Sequence, residues 1–264
     1  MSRDRAIAKA FDRAAAEKRA ALVVYATAGY PRPEEGLAAL VAAADAGADV
    51  IELGVPFSDP LADGPTIQKA SFDVIEAGVD LPWALELLRE FRRQRDTPVV
   101  IFSYLNPILH FGVERFISAA VDAGADGLLI TDLPVDADPE LETLFESSPL
   151  DLVRLIAPTT LRERARYIAS RSGGFVYYIS RTGVTGARSE LATGIEEKVA
   201  ELRAASEVPV AVGFGISTAE QAAAVARMAD GIIVGSAFVD ALGKRGVAGG
   251  AELIATLRGA LGRG

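Results

Sequence analysis

Two acidic residues stand close together where acid–base chemistry could be built. Glu52 sits inside the apolar run Val50–Leu53, and Asp63 follows it in the same segment, IELGVPFSDPLADGPTIQ (Ile51–Gln68). A carboxyl that points inward among Ile, Leu and Val is partly desolvated. Desolvation disfavours the charged form, raises the pKa and suits the group to general acid/base work near neutrality. Asp63 shares a loop with Ser58, Asp59, Pro60 and Gly64 and is expected to stay ionised. Two carboxyls in different settings can take different roles. The same residues also read as a satisfied core glutamate and a turn-forming aspartate.

A second chemistry is suggested near the C-terminus. YYISRTGVTGARSEL (Tyr177–Leu191), VGFGIS (Val212–Ser217) and VGSAFVD (Val234–Asp240) each bring glycines and hydroxyls after a β-like run. Ser217 or Ser236 could cap the helix that follows. Helix N-termini bind anions through unpaired N–H groups and the helix dipole. Three such segments in one chain point to a phosphate; tight turns alone would also use these glycines. Elsewhere, FSYLNPI (Phe102–Ile108) places Tyr104 and Asn106 at a pocket, an interface or a plain turn. Asp132, in TDLPVD, reads equally as a functional or a loop-bracing acid. His110 is the only histidine and reads as a loop residue. No strand carries a lysine for a Schiff base, and no Walker-A or Rossmann pattern is present.

These residues must be held by a scaffold, and the pattern describes one. Strands are predicted at Leu22–Tyr25, Val50–Leu53, Val99–Ser103, Gly127–Thr131, Leu152–Ala157, Phe175–Ser180, Val208–Gly213 and Gly231–Val234. Most are nearly continuous in Val, Ile and Leu, as strands covered on both faces are. Amphipathic stretches alternate with them, including one from Pro33 to Ala46. AAADAGADVIELGVPF (Ala42–Phe57) and AAVDAGADGLLITDLPV (Ala119–Val135) repeat the pattern DAGAD, strand, acid; RMADGIIVGSA (Arg227–Ala237) is a weaker copy. Repeated βα units predict an α/β chain folded as a single (β/α)8 TIM barrel over residues 1–264, with a doubly wound open sheet as runner-up. An extra N-terminal helix should cap the barrel bottom. Gly64–Arg95 is too long for one helix and is read as two, interrupted at Gly78–Pro82. Active sites of such barrels lie in the loops after the strands.

Composition narrows the classes. The chain has 264 residues, half of them hydrophobic, a net charge of −9 and no cysteine. Disulfides and thiolate metal sites are excluded, and nothing else resembles a metal site. The acidic balance argues against nucleic acid. No apolar run is long enough for a membrane span, and the charged start has no signal-peptide character. A cytoplasmic location is expected.

ELGVPFSDPLADGPTIQ, YLNPI, TDLPV, SRTGVTG, VGFGIS and VGSA, in this order, resemble the signature segments of tryptophan synthase alpha subunits across nearly the whole chain. The resemblance implies a lyase that cleaves indole-3-glycerol phosphate into indole and glyceraldehyde 3-phosphate by a retro-aldol reaction, with no cofactor in this chain. It makes Glu52 the general acid/base and Asp63 the acceptor of the indole N–H hydrogen bond. It places Gly186, Gly215, Gly235 and Ser236 at the phosphate. Tyr177 becomes the pocket tyrosine, and Tyr25, Phe102, Leu129, Ile156 and Phe214 become the apolar wall. Thr185 belongs to a loop that closes the site. Tyr25 and Phe102 depart from common family choices, which affects the wall and leaves the acids untouched. The implied partner is a pyridoxal-phosphate-dependent beta subunit in an α2β2 heterotetramer, contacted near Ser58–Asp63, Asn106 and Pro134. Two other readings are a weakly active subunit that mainly activates its partner, and another sugar-phosphate isomerase or decarboxylase barrel.

Overall fold

A computed structural model of the chain describes residues 5–180, 194–213 and 215–262. The strands are β1 (Ala21–Thr27), β2 (Val50–Gly54), β3 (Val99–Ser103), β4 (Gly127–Ile130), β5 (Asp151–Leu152), β6 (Arg154–Ile156), β7 (Val176–Ile179), β8 (Val210–Gly213) and β9 (Gly231–Val234). All pair in parallel, in the order β5-β4-β3-β2-β1-β9-β8-β7-β6. Only Val153 separates β5 from β6. One half pairs with β4 and the other with β7, so the two are one stave, and the sheet curls into a nearly closed (β/α)8 barrel.

The helices in chain order are α1 (Ala6–Ala16), α2 (Pro33–Asp45), α3 (Pro65–Glu76), α4 (Leu81–Arg92), α5 (Leu105–Phe111), α6 (Val113–Ala123), α7 (Pro139–Glu146), α8 (Arg162–Ser170), α9 (Ile195–Ala205), α10 (Ala219–Ala226) and α11 (Ser236–Gly259). The expected pair after β2 is present as α3 and α4, and Asp80 caps α4 by accepting from the Trp83 N–H. The last element is two helical stretches joined at Gly246, whose φ is 68°.

Strand alternation sorts the apolar residues into two layers. Leu22, Val24, Ile51 and Leu53 join the outer cluster with the helices. Val23, Val50, Val100 and Leu129 meet inside the barrel. Helix α1 closes the bottom, as expected: Ile7, Ala10, Phe11 and Ala14 belong to the inner cluster. Phe11 lies 5.6 Å, centroid to centroid, from Phe175. Gly127 makes room for this plug, since a Cβ there would stand 3.0 Å from Ile7 Cδ1 and 2.9 Å from the Asp151 carbonyl oxygen.

The sequence echo has a structural purpose that its pattern did not disclose. In each copy the acid just before the strand accepts an N–H at the start of the preceding strand. Asp49 takes Leu22 N–H at 2.8 Å, Asp126 takes Val99 N–H at 2.9 Å and Asp230 takes Val210 N–H at 3.0 Å. Each acid is also paired with an arginine: Arg19, Arg92 and Arg203 respectively. These charge-assisted bonds staple neighbouring staves at the bottom of the barrel. The opposite end is left for chemistry.

Candidate active site

Glu52 occupies an inward position of β2, in register with Tyr25 on one side and Val100 on the other. It is 1% exposed. Neither carboxyl oxygen has a hydrogen-bond partner among the described residues. Burial alone pushes its pKa from 4.5 to about 8. At neutral pH the side chain is therefore a neutral acid, holding a proton it can give away. A buried polar group with no partner is rare and calls for a functional explanation.

Asp63 reaches the same interior from the loop after β2. Its N–H bonds to the Pro60 carbonyl at 3.0 Å, and the Gln68 amide holds its own carbonyl at 2.9 Å. These bonds fold the loop back over the barrel mouth and leave Asp63 buried. The Tyr104 hydroxyl donates to Asp63 Oδ2 at 3.2 Å and accepts from the Ala62 N–H at 2.9 Å. Burial raises the Asp63 pKa to about 6, against the lowering effect of the Tyr104 hydrogen bond. The loop position suggested an ordinary ionised acid. The structure shows a shielded one, still mostly ionised at pH 7 and distinct from Glu52. Both carboxyls lie close enough to Tyr25 and Tyr177 to add to the rise that burial imposes on those phenols.

Around the two acids the wall is aromatic and aliphatic. Tyr25 meets Phe102 edge-on, with centroids 5.2 Å apart and planes at 79°. Leu129 and Tyr177 belong to the inner cluster. Ile156 does not: it pairs with Tyr178 and packs in the outer layer. Its neighbour Leu155, in register with Tyr177, faces inward instead. Strand parity forces this, because adjacent residues point to opposite faces. Thr185, Gly186 and Phe214 lie outside the described residues.

Gly213 shows how tightly the wall is fitted. A Cβ there would stand 2.6 Å from the Tyr177 hydroxyl and 2.8 Å from its ring. Gly213→Ala should therefore push Tyr177 aside and destabilise the fold by roughly 1–3 kcal/mol. A urea midpoint equal to that of the wild type would contradict this packing.

At the C-terminal loops, Gly215 has φ +84°, a conformation glycine adopts freely. Helix α10 is capped by Thr218 in a capping box with Gln221, and Ser217 instead bonds to the Gln221 side chain. Helix α11 starts at Ser236 with Gly235 as its N-cap and no side-chain cap hydrogen bond. Ser236 is thus the first helical residue, with no capping role. Of the remaining candidates, Asp132 Oδ1 accepts the Leu105 N–H at 2.7 Å, the loop-bracing alternative. Asn106, His110 and Pro134 are exposed. Among the described residues no group of three His, Cys, Asp or Glu side chains could hold a metal ion. The sequence reading missed the tie from Tyr104 to Asp63 and the inward placement of Leu155. A tyrosine just past a strand end was a signal for the first, and strict alternation from Tyr177's neighbours for the second.

Comparison with known proteins identifies the family of the chain. The family model for the tryptophan synthase alpha chain matches residues 11–257. A chain of Mycobacterium tuberculosis tryptophan synthase is 38% identical, with a TM-score of 0.90 and 98% of each chain covered. The tryptophan synthase alpha subunit of Legionella pneumophila str. Paris is 34% identical, with a TM-score of 0.87 and 97% of each chain covered. A chain from Aquifex aeolicus VF5 is 35% identical, with a TM-score of 0.91, covering 98% of this chain and 99% of that one. The chain belongs to the tryptophan synthase alpha chain family, the lyases that cleave indole-3-glycerol phosphate.

Proposed function

We propose that Glu52 and Asp63 carry out this cleavage as a proton donor–acceptor and a charge stabiliser. The neutral Glu52 gives its proton to indole C3. The ring becomes a cationic indolenine, and the ionised Asp63 accepts a hydrogen bond from its N–H where the positive charge develops. Glu52, now a carboxylate, takes the proton of the hydroxyl on the carbon attached to C3. The bond between that carbon and C3 breaks, its electron pair returns to the ring, and indole and glyceraldehyde 3-phosphate result. Glu52 ends protonated, as it began. The observation that carries the reading is the buried Glu52 carboxyl without a partner, in one interior with the less strongly shifted Asp63.

Tyr25, Phe102, Leu129, Leu155 and Tyr177 supply the apolar surface that a flat indole needs. Gly215, Gly235 and Ser236, with Gly186, are assigned to the phosphate, and Thr185 to closure of the site; the open N-terminus of α11 favours an anion. No cofactor is required, because the protonated ring is the electron sink. The likeness to a chain of a tryptophan synthase supports a beta-subunit partner, and an α2β2 assembly with pyridoxal phosphate in the beta subunit follows the family. The contact is assigned to Ser58–Asp63, Asn106 and Pro134, where Leu61 stands 88% exposed. No helix among the described residues is long and apolar enough to cross a membrane, and a cytoplasmic location is assigned with the family.

The acid pair dictates a pH profile. Turnover needs Asp63 ionised and Glu52 protonated, so kcat/KM should rise through about 6 and fall through about 8. Asp63→Asn should lower the maximum and remove the acid limb. A profile for the wild type that stays flat across this range would overturn the assignment. Indole release should also be compared with and without a beta subunit; an unchanged rate would count against an activating partner.

A further inference from the structure

We propose that Asp132, in the loop just past β4, is a positioning residue for Asp63, acting through the N-terminus of α5 and through Tyr104. The proposal deepens the lyase reading and rests on it.

The argument begins with a local rule that the chain breaks. N-cap positions favour Ser, Thr, Asp or Asn, whose short side chains fold back onto the first free N–H groups of the helix. The N-cap of α5 is Tyr104, which makes no side-chain cap bond. Its hydroxyl is committed elsewhere, donating to Asp63 Oδ2 at 3.2 Å and accepting from the Ala62 N–H at 2.9 Å. Capping is delegated to a distant residue: Asp132 Oδ1 accepts the Leu105 N–H at 2.7 Å. A carboxylate is favoured there by the helix dipole. Leu105 directly follows Tyr104, so the carboxylate anchors the backbone from which the tyrosine projects. The neighbouring Thr131 N–H bonds to the Ser103 carbonyl at 3.0 Å, which hangs the Asp132 loop on the end of β3. The Phe57 ring, 5.1 Å from that of Tyr104, packs against the same tyrosine. One continuous set of contacts thus runs from an exposed acid to a buried carboxylate. Local rules are broken at functional sites because the residue is needed for something else.

Asp63 must meet an N–H of a rigid ring, and a displacement of about 1 Å in such a site costs up to a hundredfold in rate. Asp132 touches no reacting atom in this scheme, so its removal should appear in kcat. We expect Asp132→Ala to lower kcat about tenfold with KM within about twofold. Asp132→Asn keeps an acceptor oxygen and should restore most of the rate. In a Tyr104→Phe background, Asp132→Ala should add less than about a twofold further loss, since residues acting through one path are not additive. An unchanged kcat in Asp132→Ala, no rescue by Asn, or a full additional loss in the Tyr104→Phe background would each overturn the proposal. A second readout needs no turnover: the titration of the Asp63 carboxyl, followed by carbon-13 NMR. Its midpoint should move up in both Tyr104→Phe and Asp132→Ala, because the tyrosine hydrogen bond that holds it down is lost or loosened. An unmoved midpoint in Asp132→Ala sinks the positioning role even if wild-type chain releases indole. A wild-type chain that releases none, alone or with a beta subunit, sinks the lyase mechanism instead.

Discussion

Glu52→Gln is expected to cut indole release by a factor on the order of a thousand while leaving affinity for inorganic phosphate unchanged. Gln has the shape of Glu and cannot give up or take back a proton at C3. Since the wild-type side chain is neutral near pH 7, the substitution barely alters the charge of the resting site. The loss therefore isolates proton transfer from electrostatics. Turnover within about tenfold of wild type would remove Glu52 from the acid–base role.

The same variant should change how stability depends on pH. A carboxyl whose pKa rises on folding favours the folded state below its unfolded value of 4.5, and that contribution is lost as pH climbs through about 8. Wild type should lose stability across this window, because the unfolded chain ionises Glu52 freely from 4.5 upward while the folded chain holds its proton to about 8. Glu52→Gln does not titrate there. The variant should gain on wild type as pH rises, seen in urea midpoints measured at the two ends of the window. A constant difference between the two proteins would show that Glu52 is better solvated than its position in β2 implies.

Gly235→Asp should weaken binding of a phosphorylated ligand by roughly a hundredfold or more, with little loss of folding stability. Gly235 is the N-cap of α11. A Cβ there would lie 3.4 Å from Tyr25 Cβ, an ordinary contact, so space is not the main obstacle. Charge and competition are. Asp is a favoured N-cap residue, and its carboxylate would occupy the N–H groups assigned to the phosphate. It would also repel a dianion at close range. The fold should keep or gain thermal stability while binding falls. Gly235→Ala, which adds only the Cβ, should lose much less. Both effects can be read by titrating inorganic phosphate calorimetrically and by melting each variant. Equal affinity in wild type and Gly235→Asp would move the phosphate site away from α11.

Much of this protein is legible in its sequence, for a physical reason. Parallel strands covered on both faces are largely apolar, so most of the eight staves stand out as short runs of Val, Ile and Leu. Gly78–Pro82 breaks a long helical stretch where α3 and α4 do separate. Glu52 declares itself because a carboxyl inside such a run is expensive unless it is used. The long motif around it carries the family, which the matches then establish.

Other features depend on distances between segments far apart in the chain. The two acids of the site differ because Glu52 meets no partner among the described residues of the barrel interior, while Asp63 is folded inward and held by Tyr104, which follows a different strand, β3. A loop position alone suggested that Asp63 is solvated; the fold of the loop buries it. Which residue of the fifth stave faces the cavity was decided by the parity of its pairing with β7, which puts Leu155 inside and Ile156 outside. The acids of the repeat, Asp49, Asp126 and Asp230, reveal their purpose only when each is seen to reach an N–H of the strand before it. Composition and periodicity are local properties and survive in a linear reading. Burial, register and hydrogen-bond partnership are relations between remote residues, and only the closed barrel brings those residues together.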